Sequence, residues 1–100
     1  MSRSAHAIVR TAVQRPLRLR SGAAARLAGL PVTTLRVWER RYGVVAAPKG
    51  EGGQREYTHR DVSRLRLLRQ LTRSGHAIGT IARLELDDLQ TLANETPGSS

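Results

Sequence analysis

Residues 33–43, which read Thr-Thr-Leu-Arg-Val-Trp-Glu-Arg-Arg-Tyr-Gly, form a short helical pattern that ends at a glycine. Leu35 and Trp38 lie three residues apart in the sequence, so one face of a helix can hold both side chains. The rest of the helix surface carries Thr33, Arg36, Val37, Arg40 and Arg41. One apolar face and one cationic face are what a helix needs to lie in the major groove of DNA.

A second helical pattern precedes this stretch. Ser21 is a suitable N-cap for a helix over about 22–28, and Gly29 ends that helix. After a tight Leu-Pro turn, the opening stretch forms a second helix over about 32–42, which Gly43 ends. Two helices joined by a short turn that contains glycine predict a helix-turn-helix.

The segment after this pair cannot be helical, because it holds Pro48, Gly50, Gly52 and Gly53. Two extended arms, at about 45–48 and 54–57, flank a glycine-rich tip and predict a β-hairpin. A hairpin beside a helix-turn-helix is a wing, and residues 45–57 are called the predicted wing below. The alternative is a plain surface loop.

The remaining chain predicts further helices. Thr58 or His59 caps a third helix that ends at Gly75, with Val62, Leu65, Leu68 and Leu71 as its apolar stripe. Its other sides carry Arg60, Arg64, Arg66, Arg69 and Arg73. We expect Trp38 to fix the second helix against the third, together with Leu35 and Leu65. A short helix over about 78–84 and a stripe of Leu86, Leu89 and Leu92 follow, and residues 17–20 alternate like a short strand or an extended lead-in.

The fold class expected is therefore mainly α, a winged helix-turn-helix with a small β-hairpin wing. We divide the chain into a flexible basic arm (1–16), the winged helix-turn-helix domain (17–84), and a short helix with a disordered tail (85–100). One hundred residues suffice for one small domain.

The net charge of +9 is unevenly distributed. Residues 1–60 hold twelve basic and three acidic side chains, residues 61–84 five and one, and residues 85–100 none and four. The basic part favours a polyanionic partner. The alternative is an arginine-rich surface that reflects coding bias, since the chain has sixteen Arg and one Lys.

Composition also excludes several classes of protein. The chain has no cysteine, so it has no disulfide and no thiolate metal site. Its three histidines, His6, His59 and His76, lack ligand spacing, and no apolar run approaches the roughly 20 residues that span a bilayer. There is no nucleophile-and-base arrangement and no phosphate-binding loop, so an enzyme is not expected. We expect a cytoplasmic, nucleoid-associated bacterial protein with no cofactor.

Four segments, in order and with matching gaps, carry a resemblance to a known family. They are Ala-Ala-Arg-Leu-Ala-Gly-Leu at 24–30, the stretch 34–43, Gly-Gly-Gln-Arg-Glu-Tyr at 52–57 with Asp61-Val62 after it, and 75–84. Together they resemble the DNA-binding part of MerR-type winged-helix regulators, over about residues 19–84. The resemblance implies transcription regulation through double-stranded promoter DNA.

The Trp-Glu-Arg-Arg-Tyr-Gly version at 38–43 is more similar to one branch of that family. These are regulators with a cobalamin-binding light-sensing domain, and their carotenoid- and curli-control relatives. Ser21 departs from the pattern, because the family usually has an Ile or similar residue there, and we expect this change to weaken the core contact of the first strand. Residues 23–25, Ala-Ala-Ala, are also plainer than usual.

The second helix supplies most of the candidate DNA contacts. Thr33 and Thr34 lie at its start and can meet phosphate oxygens, or alternatively cap the helix. Arg36 is the candidate for a base-edge or phosphate contact in the major groove, since its guanidinium matches guanine O6 and N7. Further along, Val37 can touch a thymine methyl group. Arg40 and Arg41 are expected to hold phosphates, or alternatively to pair with Glu39 or Glu56. Tyr42 can reach a phosphate with its hydroxyl or cover the core. Glu39 is expected to order a neighbouring arginine.

The predicted wing supplies the other candidates. By the resemblance, Gln54 and Arg55 occupy positions that reach the minor groove or its phosphates. Tyr57 is the matching wing aromatic, and its hydroxyl can hydrogen-bond a phosphate. Lys49 at the tip is a further candidate.

MerR-type regulators act as dimers on pseudo-palindromic promoters, through a long coiled-coil helix or a further effector domain. The C-terminal leucine stripe is too short for strong dimerisation, so we expect a fragment of a longer regulator, or a small relative that binds direct repeats. Two rival functions stay open. One is an excisionase-like factor that bends DNA, and the other is a module captured by an acidic antirepressor protein.

Overall fold

The fold is described from a computed structural model, which describes residues 18–45 and 55–95. The helices of this part are α1 (Ser21–Ala28), α2 (Val32–Tyr42), α3 (His59–Arg73), α4 (Ile78–Ile81) and α5 (Leu86–Glu95). The predicted arm at 1–16, Lys49 and Gln54 lie outside the described residues. The mainly helical fold class is confirmed, whereas a β-hairpin wing is not shown.

Glycines end the first two helices, as the sequence predicts. Gly29 has φ 76° and Gly43 has φ 55°, both in the left-handed region that glycine adopts at low cost. The Gly43 N–H donates to the Glu39 carbonyl at 3.1 Å. At the other end of α1 the prediction is off by one residue, because Arg20 occupies the N-cap position and Ser21 is already helical.

A capping box starts α3. The Thr58 hydroxyl accepts from the Asp61 N–H at 3.2 Å, and the Asp61 carboxylate accepts from the Thr58 N–H at 2.9 Å. Of the two predicted caps, the structure therefore selects Thr58. The start of α3 is fixed close to the end of the predicted wing.

Helix α3 forms the centre of the core. Its predicted stripe is fully buried, at Val62, Leu65, Leu68 and Leu71. Helices α1 and α5 pack on α3, and α2 packs chiefly on α1. Trp38 is 8% exposed and belongs to the same core as Leu35 and Leu65, so its predicted role as a core side chain is confirmed.

The predicted lead-in strand appears as one antiparallel bridge between Leu19 and Tyr57. The Leu19 N–H donates to the Tyr57 carbonyl at 2.8 Å, and the Tyr57 N–H donates to the Leu19 carbonyl at 2.7 Å. The backbone therefore joins the lead-in to the end of the predicted wing. An exposed ion pair of Arg18 and Glu56, 3.0 Å between Nη1 and Oε1, lies beside this bridge.

The C-terminal part differs from the prediction at one helix end. Helix α4 ends at Ile81 rather than near residue 84. Helix α5 buries Leu89 and Ala93 in the same core as α3. Among the described residues, no helix is both long and apolar enough to cross a membrane.

Candidate nucleic-acid interface

Helix α2 has two different faces. Leu35, Trp38 and Glu39 are buried, whereas the opposite side exposes four side chains and half-exposes Val37. We call this side the outer face of α2, and it consists of Thr33, Arg36, Val37, Arg40 and Arg41. The helical spacing of the sequence therefore places these predicted contacts together.

The arginines of the outer face have no hydrogen-bond or ion-pair partner among the described residues. Within the described part of the chain, Arg36, Arg40 and Arg41 form no hydrogen bond through their side chains and no ion pair. The predicted alternative, pairing with Glu39 or Glu56, is not observed there, since Glu56 pairs with Arg18 and Glu39 is buried. Three guanidinium groups on one helix face are available to a polyanion.

The first turn of α2 has no side-chain cap. Pro31 is the N-cap residue, and its carbonyl accepts from the Leu35 N–H at 3.1 Å. Thr33 and Thr34 therefore do not fill the alternative role of capping this helix. Thr33 is exposed and Thr34 is half-buried.

The inner face of α2 holds a buried carboxylate that sequence analysis assigned differently. Glu39 is 8% exposed and accepts hydrogen bonds from the Tyr57 hydroxyl at 2.8 Å and from the Val45 N–H at 3.4 Å. It therefore orders the two ends of the predicted wing and not a neighbouring arginine. The helical period contained the signal, because residue 39 follows Leu35 by four positions and lies on the same side.

Tyr57 requires a correction as a candidate phosphate contact. Its side chain is 1% exposed and its hydroxyl donates to Glu39, so the structure places it in the core and not on a DNA-facing surface. Burial raises the pKa of Tyr57 to about 12, and Glu39 acts in the same direction. A hydrogen bond from Ser21 lowers that pKa.

Ser21 lies near the same hydroxyl. Its side chain acts on Tyr57 against the effect of burial and lowers the pKa of Tyr57. Its expected weakening of the first strand stays a prediction.

Tyr42 lies between its two predicted roles. The residue is 38% exposed, and its Cε1 atom lies 3.5 Å from the position that a Cβ would take on Gly79. Its ring therefore rests on α4 while part of it remains accessible. Arg55 is half-buried at the far end of the predicted wing.

The arginines of α3 have a role that sequence analysis missed. The Arg64 guanidinium donates to the carbonyls of Val44, Ala82 and Leu84, and so joins three segments of the chain. Burial lowers the pKa of Arg64, and the nearby carboxylates of Glu85 and Asp61 oppose that shift. No sequence signal indicated this role of Arg64, because the residue lies beside the apolar stripe of α3 and its carbonyl acceptors are distant in sequence.

Two further arginines of α3 face the C-terminal end of α1. Arg66 Nε donates to the Leu27 carbonyl at 3.0 Å. Arg69 Nε lies 3.2 Å from the position of a Cβ on Gly29, so this glycine also leaves room for the guanidinium. Cations at the carboxyl end of a helix complement its unpaired carbonyls and its dipole.

A cleft of about 270 Å³ lies between the end of α2, the start of α3 and the segment 83–86. Arg60, Arg64 and Arg83 line it together with the carboxylates of Asp61 and Glu85. Since these charges nearly balance, the cleft is less cationic than the outer face of α2. The outer face is therefore the better candidate interface.

Comparison with known proteins identifies the family. The model of the MerR HTH family of regulatory proteins matches residues 19–87, which is more than half of the chain. The chain belongs to the MerR family. It carries the helix-turn-helix DNA-binding domain of a MerR-type transcriptional regulator, and the family resemblance drawn from the sequence is confirmed.

A curated MerR-type relative is the HTH-type transcriptional repressor CarH of Myxococcus xanthus. It is 44% identical over 75 residues, which are 75% of this chain and 25% of CarH. The chain thus spans about a quarter of the length of this relative. Both the family and this relative are regulators of transcription and not enzymes.

Solved structures of MerR-family proteins share the fold. HiNmlR, a regulator lacking the sensor domain and bound to promoter DNA, matches with a TM-score of 0.55 and 25% identity, over 78% of this chain and 53% of its own. A MerR-family regulator from Bacillus cereus matches with a TM-score of 0.60 and 21% identity, over 76% and 61%. At 21% identity, the similarity to the Bacillus cereus protein shows a shared fold alone.

Proposed function

We propose that this MerR-family domain binds double-stranded promoter DNA sequence-specifically, with the outer face of α2 in the major groove. The predicted wing contacts the adjacent minor groove or the backbone. The proposal is carried by one observation: Arg36, Arg40 and Arg41 lie on one face of a helix whose other face is buried, and their side chains have no partner among the described residues. The promoter complex of HiNmlR supports the same use of the fold.

Each member of the outer face has a distinct proposed role. Arg36 reads a base edge, because its guanidinium matches the two acceptors of guanine, and Val37 touches a thymine methyl group. Arg40 and Arg41 hold phosphates further along the helix, and Thr33 and Thr34 meet phosphates at its start. Tyr42, with its accessible ring edge, reaches the backbone from the end of α2.

The distribution of acidic groups favours the same orientation. Glu39 points into the core and Glu56 pairs with Arg18, so neither presents an unpaired carboxylate to a phosphate. Further acidic side chains lie in 85–95, on or beside α5, which packs on α3. The remaining wing contacts of the proposal are Lys49, Gln54 and Arg55.

We further propose that two copies bind inverted half-sites in the bacterial cytoplasm, at the nucleoid. Leu89 is fully buried in its own core, so the stripe of Leu86, Leu89 and Leu92 does not supply the dimer contact as a unit. The pairing surface is therefore sought outside this stripe. Assignment to the branch with cobalamin-binding light sensors, or with carotenoid and curli control, stays a prediction.

Selection of bound DNA from a random pool, followed by gel-shift stoichiometry, tests the proposal. We expect an enriched sequence, arranged as inverted repeats if two copies pair. Affinity should fall steeply with salt, because each phosphate neutralised releases counterions and contributes about 0.9 to the logarithmic slope. A flat salt response would contradict DNA binding, whereas bending of the selected site beside direct repeats would favour the excisionase-like alternative.

A further inference from the structure

Glu39 is the buried charged side chain of the described residues, and it belongs to α2. The same helix carries Arg36 and Arg40 on its outer face. No cation forms an ion pair with Glu39 within the described part of the chain. A carboxylate removed from water is costly unless other groups donate hydrogen bonds to it, so its donors indicate what the residue does.

Within the described residues, both hydrogen-bond donors to Glu39 come from the ends of the predicted wing. The Val45 N–H donates to Oε1 at 3.4 Å, where the chain leaves α2. The Tyr57 hydroxyl donates to Oε2 at 2.8 Å, where the chain returns toward α3. One carboxylate on α2 therefore holds the departure and the return of the same segment.

The chemistry of the site selects a carboxylate. An ionised glutamate has two acceptor oxygens and no donor, whereas a glutamine has one oxygen and an NH₂ group. Since both partners of Glu39 are donors, an amide would place its NH₂ group against one of them. A hydrogen bond to a charged acceptor is also stronger than one between neutral groups.

Other contacts fix the same two ends to the core. The Tyr57 backbone pairs with Leu19 through two hydrogen bonds, and the Val44 carbonyl accepts from Arg64. Val45 and Tyr57 are both buried. Within the described residues, the hydrogen bonds to Glu39 are the side-chain links from these ends to α2, the helix that carries the outer face.

We propose that Glu39 is a positioning residue that fixes the predicted wing relative to the outer face of α2. It thereby sets the spacing between major-groove contacts and contacts in the adjacent minor groove or backbone. The inference rests on the proposed function, because it requires that both surfaces contact one DNA duplex. It assigns to Glu39 a role in binding without any direct contact with DNA.

Charge alone predicts the opposite effect of removing this residue. A carboxylate within a DNA-binding helix repels phosphates, so Glu39→Gln should tighten binding if Glu39 acts only through its charge. If Glu39 positions the wing, the same substitution should weaken binding. Glu95→Gln, at an exposed site on α5, removes an equal charge away from α2 and is the matched control.

A second pair of variants keeps the carboxylate. Tyr57→Phe removes the hydroxyl that donates to Glu39 and retains the buried ring. Its matched control is Thr91→Val, which removes an exposed hydroxyl that donates to the Asp87 carbonyl within α5. All variants are compared in the 100-residue chain, with the folded fraction taken from urea unfolding.

Affinity for the selected DNA site and hydroxyl-radical footprints are then measured. We expect Glu39→Gln and Tyr57→Phe each to bind about tenfold more weakly, the factor that one hydrogen bond to a charged group represents. Protection that flanks the α2 contacts should be lost, while base preference within them should remain. The double variant should lose little more than either single variant, because both remove one link.

Three results would overturn the inference. The first is that folded Glu39→Gln binds as tightly as wild type, or more tightly, with an unchanged footprint. The second is that it loses base preference and flanking protection in equal measure, as expected of general support for α2. The third is that the wild type binds DNA without any flanking protection. That result would contradict the positioning role of Glu39 but not the proposed DNA binding by α2. If Glu39→Gln does not fold, Tyr57→Phe decides, and failure of the wild type to bind DNA would contradict the proposed function itself.

Discussion

Helices α2 and α3 are both rich in arginine, but the structure uses those arginines in opposite ways. Arg36 and Arg40 of α2 have no partner within the described residues. Arg64 and Arg66 of α3 donate to backbone carbonyls of other segments. The difference follows from position, because α3 lies between α1 and α5 whereas α2 packs chiefly on α1. An arginine is therefore available to DNA only where the fold supplies it with no acceptor.

The largest effect is expected for Arg64→Ala. Removing the guanidinium leaves three carbonyls without their donor, so the free energy of unfolding should fall by about 3 kcal/mol. Urea unfolding measures this loss. The base preference of the molecules that remain folded should not change, and a loss of base preference at unchanged stability would place Arg64 in the interface and break the comparison.

The buried contact between Tyr57 and Glu39 of α2 predicts a loss of folding stability at alkaline pH. The pKa of Tyr57 is raised from its ordinary value of 10.0 to about 12, so the neutral phenol favours the folded state. This contribution, about 3 kcal/mol, is complete below pH 10 and is lost as the pH rises from about 10 to about 12. Urea unfolding of wild type and Tyr57→Phe between pH 8 and pH 12 measures it.

Tyr42→Phe is the control for that transition, because the Tyr42 ring is 38% exposed. This variant should retain the alkaline loss of stability, and Tyr57→Phe should lack most of it. An equal alkaline loss in wild type and Tyr57→Phe would show that the buried hydroxyl does not stabilise the inner face of α2.

On the outer face, Arg36→Ala should weaken binding to the selected site by about 1–3 kcal/mol and relax preference at one base pair. Its folding stability should be unchanged, since no contact within the described residues is lost. Fluorescence anisotropy with single-base variants of the site measures both quantities. Arg73→Ala, an exposed arginine at the end of α3, is the control. Uniform weakening across all sequences would reassign Arg36 to a phosphate.

Arg40→Ala separates phosphate contacts from base contacts on the same face. We expect weaker binding by about the same factor on every sequence, and a decrease of about 1 in the slope of log affinity against log salt. Anisotropy titrations at several salt concentrations measure the slope. A changed base preference with an unchanged slope would exchange the roles of Arg40 and Arg36.

The smallest effect is expected for Arg66→Ala. Its hydrogen bond to Leu27 is exposed to solvent, so the unfolding free energy should fall by no more than about 1 kcal/mol. The same urea experiment as for Arg64→Ala applies. A loss of stability as large as that of Arg64→Ala would mean that solvent exposure does not determine how much each arginine of α3 contributes to folding.

Local patterns in the sequence were sufficient for most of the helices. Gly29, Gly43 and Thr58 end or begin helices as predicted, because each acts through hydrogen bonds to near neighbours in the chain. The outer face of α2 was likewise predicted from helical spacing. Such features depend on a few consecutive residues, so the local sequence contains all the groups that determine them.

The errors concern polar groups whose partners are distant in sequence. Tyr57 was predicted to face DNA, but its hydroxyl meets Glu39, eighteen residues earlier. Arg64 was assigned to the helix surface, but its acceptors lie about twenty residues away on either side.

By itself, the sequence determined the helices, their ends and which side of α2 is cationic, since periodicity and capping are properties of neighbouring residues. The motif order also determined the family. Only the tertiary structure decided which polar side chains are available for binding. A polar group is committed or free according to whether the fold brings a donor or acceptor within about 3 Å of it, and that depends on how distant segments pack.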